Sequence, residues 1–141
     1  MSLTKEARNF NWLLSNFVDE TAGVTDAVAV SSDGLLIAHS NTLSQQEGDQ
    51  LCAIISGCTS LAQASDRLLK GEGFERVILA MHMGFLFVCS IADGSCLGVV
   101  ATRDCDVGSV GYQATELVTK AGELLTPALR EELKTYAASS A

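Results

Sequence analysis

Residues Thr25 to Ser40 read TDAVAVSSDGLLIAHS, two apolar runs separated by a short polar linker. Each run, Thr25–Ser31 and Leu35–Ser40, has the length of an ordinary β-strand, and Ser32-Asp33-Gly34 lies between them. Asp-Gly between two such runs is a strong hairpin signal, because both residues tolerate the positive φ angles of a tight turn. The segment therefore predicts a β-hairpin.

A second group of strands follows later in the chain. Its members are split by a tight turn at His82–Gly84 and by another Asp-Gly pair, Asp93-Gly94. All three are apolar at consecutive rather than alternate positions, which is typical of a sheet that is covered on both faces. The predicted strands are Phe74–Met81, Phe85–Ile91 and Cys96–Thr102.

Helical periodicity accounts for most of the remaining chain. Thr4 is the predicted N-cap of the first helix, and Ser44 with Glu47 matches the capping-box pattern at the start of the longest one. Thr126-Pro127 has the N-cap and N1 pattern of a short tail helix that ends at Tyr136, before a frayed segment at 137–141. The three longer predicted helices are Leu3–Thr21, Ser44–Lys70 and Val107–Leu125.

The order α-β-β-α-β-β-β-α predicts the architecture. Hairpins pair the first strand with the second and the third with the fourth and fifth, so the long helix crosses between the two sets over one face. The first and last helices then cover the other face. We expect an α/β (α+β) fold, an α/β/α sandwich with a five-stranded, mainly antiparallel sheet. One domain, 1–141, has its core at about 5–126 and the tail helix at 127–136.

The long helix carries two adjacent stripes. We expect the larger stripe to cover the sheet; it contains Leu51, Ile54, Ile55, Cys58, Leu61, Ala62, Leu68 and Leu69. The smaller stripe contains only small uncharged residues: Ala53, Gly57, Ser60 and Ala64. It serves either a crowded contact within the chain or a helix-to-helix homodimer contact. The dimer is favoured, because a mid-helix glycine costs roughly 1 kcal/mol against alanine and needs a compensating close approach.

The charge balance excludes several classes of partner. With 17 acidic and 9 basic residues and a net charge of -8, the chain lacks the cation clusters that nucleic acids or anionic membranes require. Its longest apolar run, Val77 to Cys89, is shorter than the roughly 20 residues that span a bilayer. The mixed charges at Met1–Asn9 are unlike a secretory signal. We expect a cytoplasmic protein without direct membrane insertion.

No pattern in the sequence predicts catalysis, a cofactor or a metal. Five cysteines lack a C-x-x-C pair, and most lie in apolar segments where a thiol packs as a small hydrophobe. Cys105 lies between Asp104 and Asp106, which disfavour its thiolate. The polar candidates are Ser31, Ser32, Asp33, His39 and His82, and serine beside Asp-Gly is more typical of turn hydrogen bonding than of catalysis. Phe74, Phe85 and Phe87 are expected in the core rather than in a ligand site.

Two segments resemble a known family. Gly23–Ala38, GVTDAVAVSSDGLLIA, and Ile91–Val99, IADGSCLGV, together with the element order, are similar to the roadblock/dynein light chain family in its bacterial, actinomycete-like branch. The resemblance covers roughly residues 5–126 and rests on hairpin glycines and aliphatic positions. It carries no catalytic signature.

The resemblance implies a homodimer in which the long helices pack together and the third strands join edge to edge. That edge, Phe74–Met81 with Val77 and Leu79, is apolar and free of proline, which a monomer ordinarily avoids. The resemblance also implies a non-enzymatic module that binds a Ras-like small GTPase, as an activating or regulatory subunit, beside a sensor-kinase-like protein. A small-molecule-sensing or scaffold domain of a signalling complex is the alternative.

Overall fold

A computed structural model describes residues 4–139 of the chain. The predicted element order is confirmed, with α4 reaching Ser139 rather than Tyr136. Predictions for Leu3 and for residues 140–141 lie outside the described residues. The elements are α1 (Lys5–Glu20), β1 (Val24–Val30), β2 (Leu36–His39), α2 (Gln45–Leu68), β3 (Arg76–Met81), β4 (Gly84–Ser90), β5 (Cys96–Thr102), α3 (Val107–Leu124) and α4 (Pro127–Ser139).

The five strands form one sheet in the order β2-β1-β5-β4-β3, and every neighbouring pair is antiparallel. Both Asp-Gly turns form as predicted, because Gly34 and Gly94 adopt φ angles of 84° and 91°. Pairing of β1 with β5 joins the two strand groups, so β2 and β3 are the two edges. The helix between them, α2, therefore crosses from one edge of the sheet to the other.

The helices divide between the two faces as predicted. One core cluster lies between α2 and the sheet, and it includes Cys52, Ile55 and Val88. The other lies beneath α1, α3 and α4, where Phe10 and Phe87 are fully buried. The predicted α/β/α sandwich is thus confirmed.

A glycine on β5 lets α2 approach the sheet. A Cβ built at Gly98 would lie 2.2 Å from the Ile55 Cδ1 atom and 3.1 Å from the Val28 Cγ2 atom. Both distances are shorter than ordinary van der Waals contact. The fit between Ile55 and Gly98 therefore fixes how closely the centre of α2 packs on the sheet.

Polar contacts fix the helix ends. The Ser44 hydroxyl accepts from the Glu47 N–H while the Glu47 carboxylate accepts from the Ser44 N–H, the predicted capping box. In α4, Arg130 pairs with Asp93 and Lys134 with Asp33. Because Asp33 and Asp93 belong to the two Asp-Gly turns, α4 bridges the tips of both hairpins.

Three predictions of burial are wrong. On α2 and at its C-cap, Ile54, Leu61, Leu68 and Leu69 are exposed and do not cover the sheet. Ile55 faces the sheet, and the first three of these residues lie on another side of the helix, roughly 100–140° away. The β3 strand is largely exposed, since α2 covers only its start and α3 lies over β4 and β5. The helical periodicity of Val107–Leu125 also predicts that Leu124 faces inward, whereas it is exposed at the end of α3.

Candidate self-association surface

The outer face of α2 is an exposed surface of small and large apolar side chains. The predicted small residues Ala53, Gly57, Ser60 and Ala64 are all exposed. Beside them, Ile54 is 52% exposed, Leu61 73% and Leu68 80%. Scattered surface hydrophobics are normal, whereas a contiguous apolar helix face marks an interaction surface. We call this set the α2 face.

Gly57 lies at the centre of the α2 face in open space. A Cβ built there meets no atom of residues 4–139 within 4 Å, apart from its own neighbours along the helix. Crowding within the chain therefore does not explain a glycine in the middle of this 24-residue helix. Of the two explanations for the small stripe, a crowded contact within the chain finds no support at Gly57.

The β3 edge extends the apolar surface from the helix to the sheet. One side of β3 pairs with β4 over Arg76–Met81, and its other side is the free edge of the sheet. Val77 is half-buried and packs against the core under α2, while Leu79 is exposed on the same side of the strand. Unpaired backbone groups along an apolar strand are a ready template for another strand.

The connection between α2 and β3 keeps these two elements next to each other. Lys70 adopts a left-handed φ of 57°, and both carboxylate oxygens of Asp66 accept from the Gly73 N–H at 3.1 Å. Phe74 then packs against the core under α2. The loop thus returns the chain beneath the helix, so that the end of α2 lies next to β3.

The polar candidates have structural roles in the two hairpins. The Ser31 hydroxyl donates to the Asp33 carboxylate and is 3.1 Å from the Leu35 carbonyl oxygen, which closes the first turn. The Ser31 hydroxyl, and then Lys134, hold the pKa of Asp33 below its usual value, which makes it a weaker base. The His39 Nδ1 atom lies 2.8 Å from the Ser40 carbonyl oxygen, and His82 is exposed in the β3–β4 turn. The structure does not bring these groups together into one site.

Three of the five cysteines pack as predicted. Cys52, Cys89 and Cys96 are buried, and desolvation raises the pKa of each thiol. Cys58 and Cys105 are half-buried. Phe87 is fully buried in the core, and the half-buried Phe74 and Phe85 pack against the two core clusters, so the three phenylalanines belong to the core as predicted.

Within residues 4–139, histidine, cysteine and acidic side chains do not gather into a group of three or more that could hold a metal ion. Over the same range, no helix is long and apolar enough to cross a membrane.

The architecture defines a class: a small α/β/α domain with the strand order β2-β1-β5-β4-β3 and one long crossover helix. The profile of the Roadblock/LC7 domain matches residues 10–101. A Roadblock/LC7 domain from Streptomyces avermitilis is 32% identical, with 79% of this chain and 92% of that chain covered and a TM-score of 0.73. The chain belongs to the Roadblock/LC7 family.

More distant structures share the fold alone. Myxococcus xanthus MglB is 12% identical, with 89% of this chain and 97% of that chain covered and a TM-score of 0.77. Acanthamoeba castellanii profilin IB is also 12% identical, with 81% and 97% covered and a TM-score of 0.55. Among proteins of curated function, no sequence match is found. The predicted family and its roadblock/profilin-like fold are therefore confirmed.

Sequence reasoning found the small residues of the α2 face and missed the large ones. Ile54, Leu61 and Leu68 recur at seven-residue intervals and lie roughly 100–140° around the helix from the buried Ile55. The prediction therefore merged two sides of α2 into one stripe. The width of that stripe was a usable signal, because a helix turns only one side towards a sheet.

Proposed function

We propose that this chain is a homodimeric, non-enzymatic regulatory module that binds a Ras-like small GTPase and modulates its nucleotide cycle. The observation that carries the proposal is the exposed α2 face around Gly57, next to the free β3 edge. Family membership supports it, because the resemblance in sequence implies dimerisation through these same elements. The interface residues are Ala53, Gly57, Ser60, Ala64, Val77 and Leu79.

A twofold axis makes the two parts of the surface compatible. A patch that meets its own copy closes into an isologous pair and leaves no open end. Small side chains at Gly57 and its neighbours allow two α2 backbones to approach closely. Antiparallel pairing of β3 with its copy then satisfies the free edge. In the proposed dimer, both contacts form about the same twofold axis.

The GTPase is expected to contact both subunits of this dimer. The dimer is expected to stimulate GTP hydrolysis indirectly. It stabilises the switch loops of the GTPase and supplies no residue to the reaction. Two arginines support this mechanism because their guanidinium groups already bind other residues of the chain. Arg76 donates to the Gly111 carbonyl oxygen and to the Thr115 hydroxyl, and Arg130 pairs with Asp93. Neither lies on a mobile glycine-rich tip of the kind that inserts an arginine finger.

The test uses a purified Ras-like small GTPase from the same genome, in its GDP and GTP-analogue forms, with a sensor-kinase-like protein as a further candidate ligand. We expect the immobilised wild-type dimer to retain the GTPase and Gly57→Arg to lose it. Gln63→Arg is the matched control, because Gln63 is exposed on the flank of α2 that faces the Gly94 turn. Retention by a monomeric Gly57→Arg protein would separate GTPase binding from dimerisation.

Hydrolysis separates indirect stimulation from an arginine finger. Each single replacement of Arg8, Arg67, Arg76, Arg103 or Arg130 by alanine should leave stimulated GTP hydrolysis within a few-fold of wild type. A finger would contribute roughly 10³- to 10⁵-fold. Loss of stimulation with complex formation intact, in any one of the five, contradicts the indirect mechanism.

The sensor alternative has one structural feature in its favour. A groove of about 550 Å³ runs beside β2, the other edge of the sheet, and is lined by Trp12, His39 and Tyr136 among others. Mostly apolar clefts with a few polar groups are typical ligand sites. A rise in melting temperature with a small-molecule library, absent in Trp12→Ala, would favour the sensor. A melting temperature that no compound changes would favour the regulatory module.

A further inference from the structure

A second exposed region lies on the face of the sheet opposite α2. Ile78 and Ala80 of β3 are directly opposite Phe87 and Phe85 of β4, so they project to the face covered by α1, α3 and α4. However, α3 packs over β4 and β5, and the long Arg76 side chain is what joins β3 to it. Ile78 is therefore 42% exposed, Ala80 is exposed and Phe85 is half-buried.

Two arginines lie on this region. The Arg103 guanidinium is 5.1 Å from the centre of the Phe85 ring and donates to the Met81 carbonyl oxygen. The Arg76 guanidinium reaches α3, where it donates to Gly111 and Thr115, and its Nε atom is buried without a hydrogen-bond partner.

Neither arginine has an ion-pair partner among the described side chains. The ion pairs within residues 4–139 involve Arg130 and Lys134 and not these two residues. Asp104, next to Arg103 in the chain, accepts from the Thr102 hydroxyl, and Asp106 caps α3. Arg103 is therefore an exposed cation on this region that forms no ion pair within the described part of the chain.

Dimerisation would turn the region into a groove. If β3 pairs with its copy about 4.8 Å away, the middle of α3, above β4 and β5, is about 10 Å from the twofold axis. The two α3 axes are then roughly 20 Å apart across a floor of joined β3 strands. Packed helices lie about 8–10 Å from each other, so this gap has the width of one helix.

We propose that this groove, the α3 groove, binds one amphipathic helix of a partner protein whose polar side carries carboxylates. Its apolar side lies on Ile78, Ala80 and Phe85 of both subunits, and its carboxylates pair with Arg103. The proposal rests on the proposed dimer but is independent of the GTPase, which is assigned to neither Arg103 nor Ile78. Because the groove lies on the twofold axis, the expected stoichiometry is one helix per two chains.

The charge of the site makes the test selective. The probe is a synthetic helix of about 18 residues, roughly 27 Å long, with leucines on one face and glutamates on the other. An acidic peptide is repelled by the net charge of the chain, so its binding requires a local cationic site. The comparison peptide has lysine in place of each glutamate.

Fluorescence anisotropy and calorimetry are measured on protein whose mass has first been determined by light scattering. We expect the acidic helix to bind at one per dimer, and Arg103→Glu to weaken binding about tenfold or more, as expected for a lost charge-assisted hydrogen bond. Lys120→Glu, the same charge change on α3 beside Glu116, is the matched control. Ala80→Glu places a carboxylate on the floor and should weaken binding in the same way without touching Arg103.

Several results would overturn the α3 groove. One such result is that the wild-type dimer does not bind the acidic helix. Another is that Arg103→Glu and Lys120→Glu weaken peptide binding equally. A third is a stoichiometry of one helix per chain. Tighter binding of the lysine peptide, insensitive to Arg103→Glu and Ala80→Glu, would also do so. A monomeric wild-type protein contradicts the dimer of the proposed function. A wild-type dimer that does not bind the acidic peptide contradicts only the α3 groove.

Discussion

The two sides of α2 have similar apolar side chains and opposite environments. On the inner side, Ile55 is fully buried and its Cδ1 atom fills the space that the absent side chain of Gly98 leaves on β5. On the outer side, Leu61 is 73% exposed and Gly57 faces open space. On the inner side, Gly98 of β5 lies where the helix and the sheet approach each other most closely. On the outer side, Gly57 lies at the centre of the α2 face. The outer side therefore has the composition of a packed contact without a partner in the chain.

The largest effect on monomer stability is expected from Ile55→Ala. Truncation of a fully buried isoleucine removes apolar contacts and leaves a cavity, which lowers the free energy of unfolding by about 2–5 kcal/mol. Because Ile55 packs within one chain, this loss should not depend on protein concentration. Urea denaturation at two concentrations measures it.

Leu61→Ala is the matched variant on the other side of the same helix. We expect it to destabilise wild type in a concentration-dependent way and to have almost no effect in a Gly57→Arg background, where the dimer is already lost. If Leu61→Ala lowers the free energy of unfolding equally in both backgrounds, the two sides of α2 do not differ as described.

A smaller effect is expected from Gly98→Ala. The added Cβ would lie 2.2 Å from the Ile55 Cδ1 atom, so the side chain must shift within a fully packed core, at a cost of about 1–3 kcal/mol. Ile55→Val removes that Cδ1 atom. In a double-mutant cycle, Gly98→Ala should therefore cost less beside Val at position 55, and strict additivity would show that the two residues do not limit each other.

The local signals in the sequence were sufficient for the elements and insufficient for one long-range contact. Asp33-Gly34, Asp93-Gly94 and the Ser44–Glu47 capping box each determine a structure within a few residues, so the hairpins and the start of α2 could be predicted. The pairing of β1 with β5 has no turn of its own and follows from packing of the whole chain.

The candidate surface was predicted in part for a similar reason. Gly57 and Ala53 stand out because small residues in mid-helix are unusual, and that signal is local. Whether Leu61 covers the sheet depends on which side of α2 faces the strands, and contacts distant in sequence, such as that of Ile55 with Gly98, decide this. Consecutive apolar residues in β3 likewise predicted cover on both faces, whereas the structure leaves most of this strand exposed.

The smallest effect is expected from pH. Burial raises the pKa of the Cys52, Cys89 and Cys96 thiols, so between the pKa of an unfolded thiol, about 8.5, and the higher folded value the native state binds more protons. The stability contribution of these thiols is complete below about pH 8.5 and is lost as the pH rises. The urea midpoint should therefore be lower at pH 9.5 than at pH 7.5. In a variant with alanine at all three positions, the difference between the two midpoints should be smaller. A midpoint that rises with pH would contradict this sign.

Static light scattering of wild type, Gly57→Arg and Gln63→Arg at low micromolar concentration tests the central claim most directly. An arginine at the closest approach of two helices buries an unpaired charge, which costs about 3–5 kcal/mol and raises the dissociation constant roughly 10²-fold or more. We predict twice the chain mass of 14.8 kDa for wild type and Gln63→Arg, and loss of that dimer in Gly57→Arg to monomer or aggregate. A monomeric wild type, or a Gly57→Arg protein that is still a dimer, would contradict the assignment of the α2 face as the self-association surface.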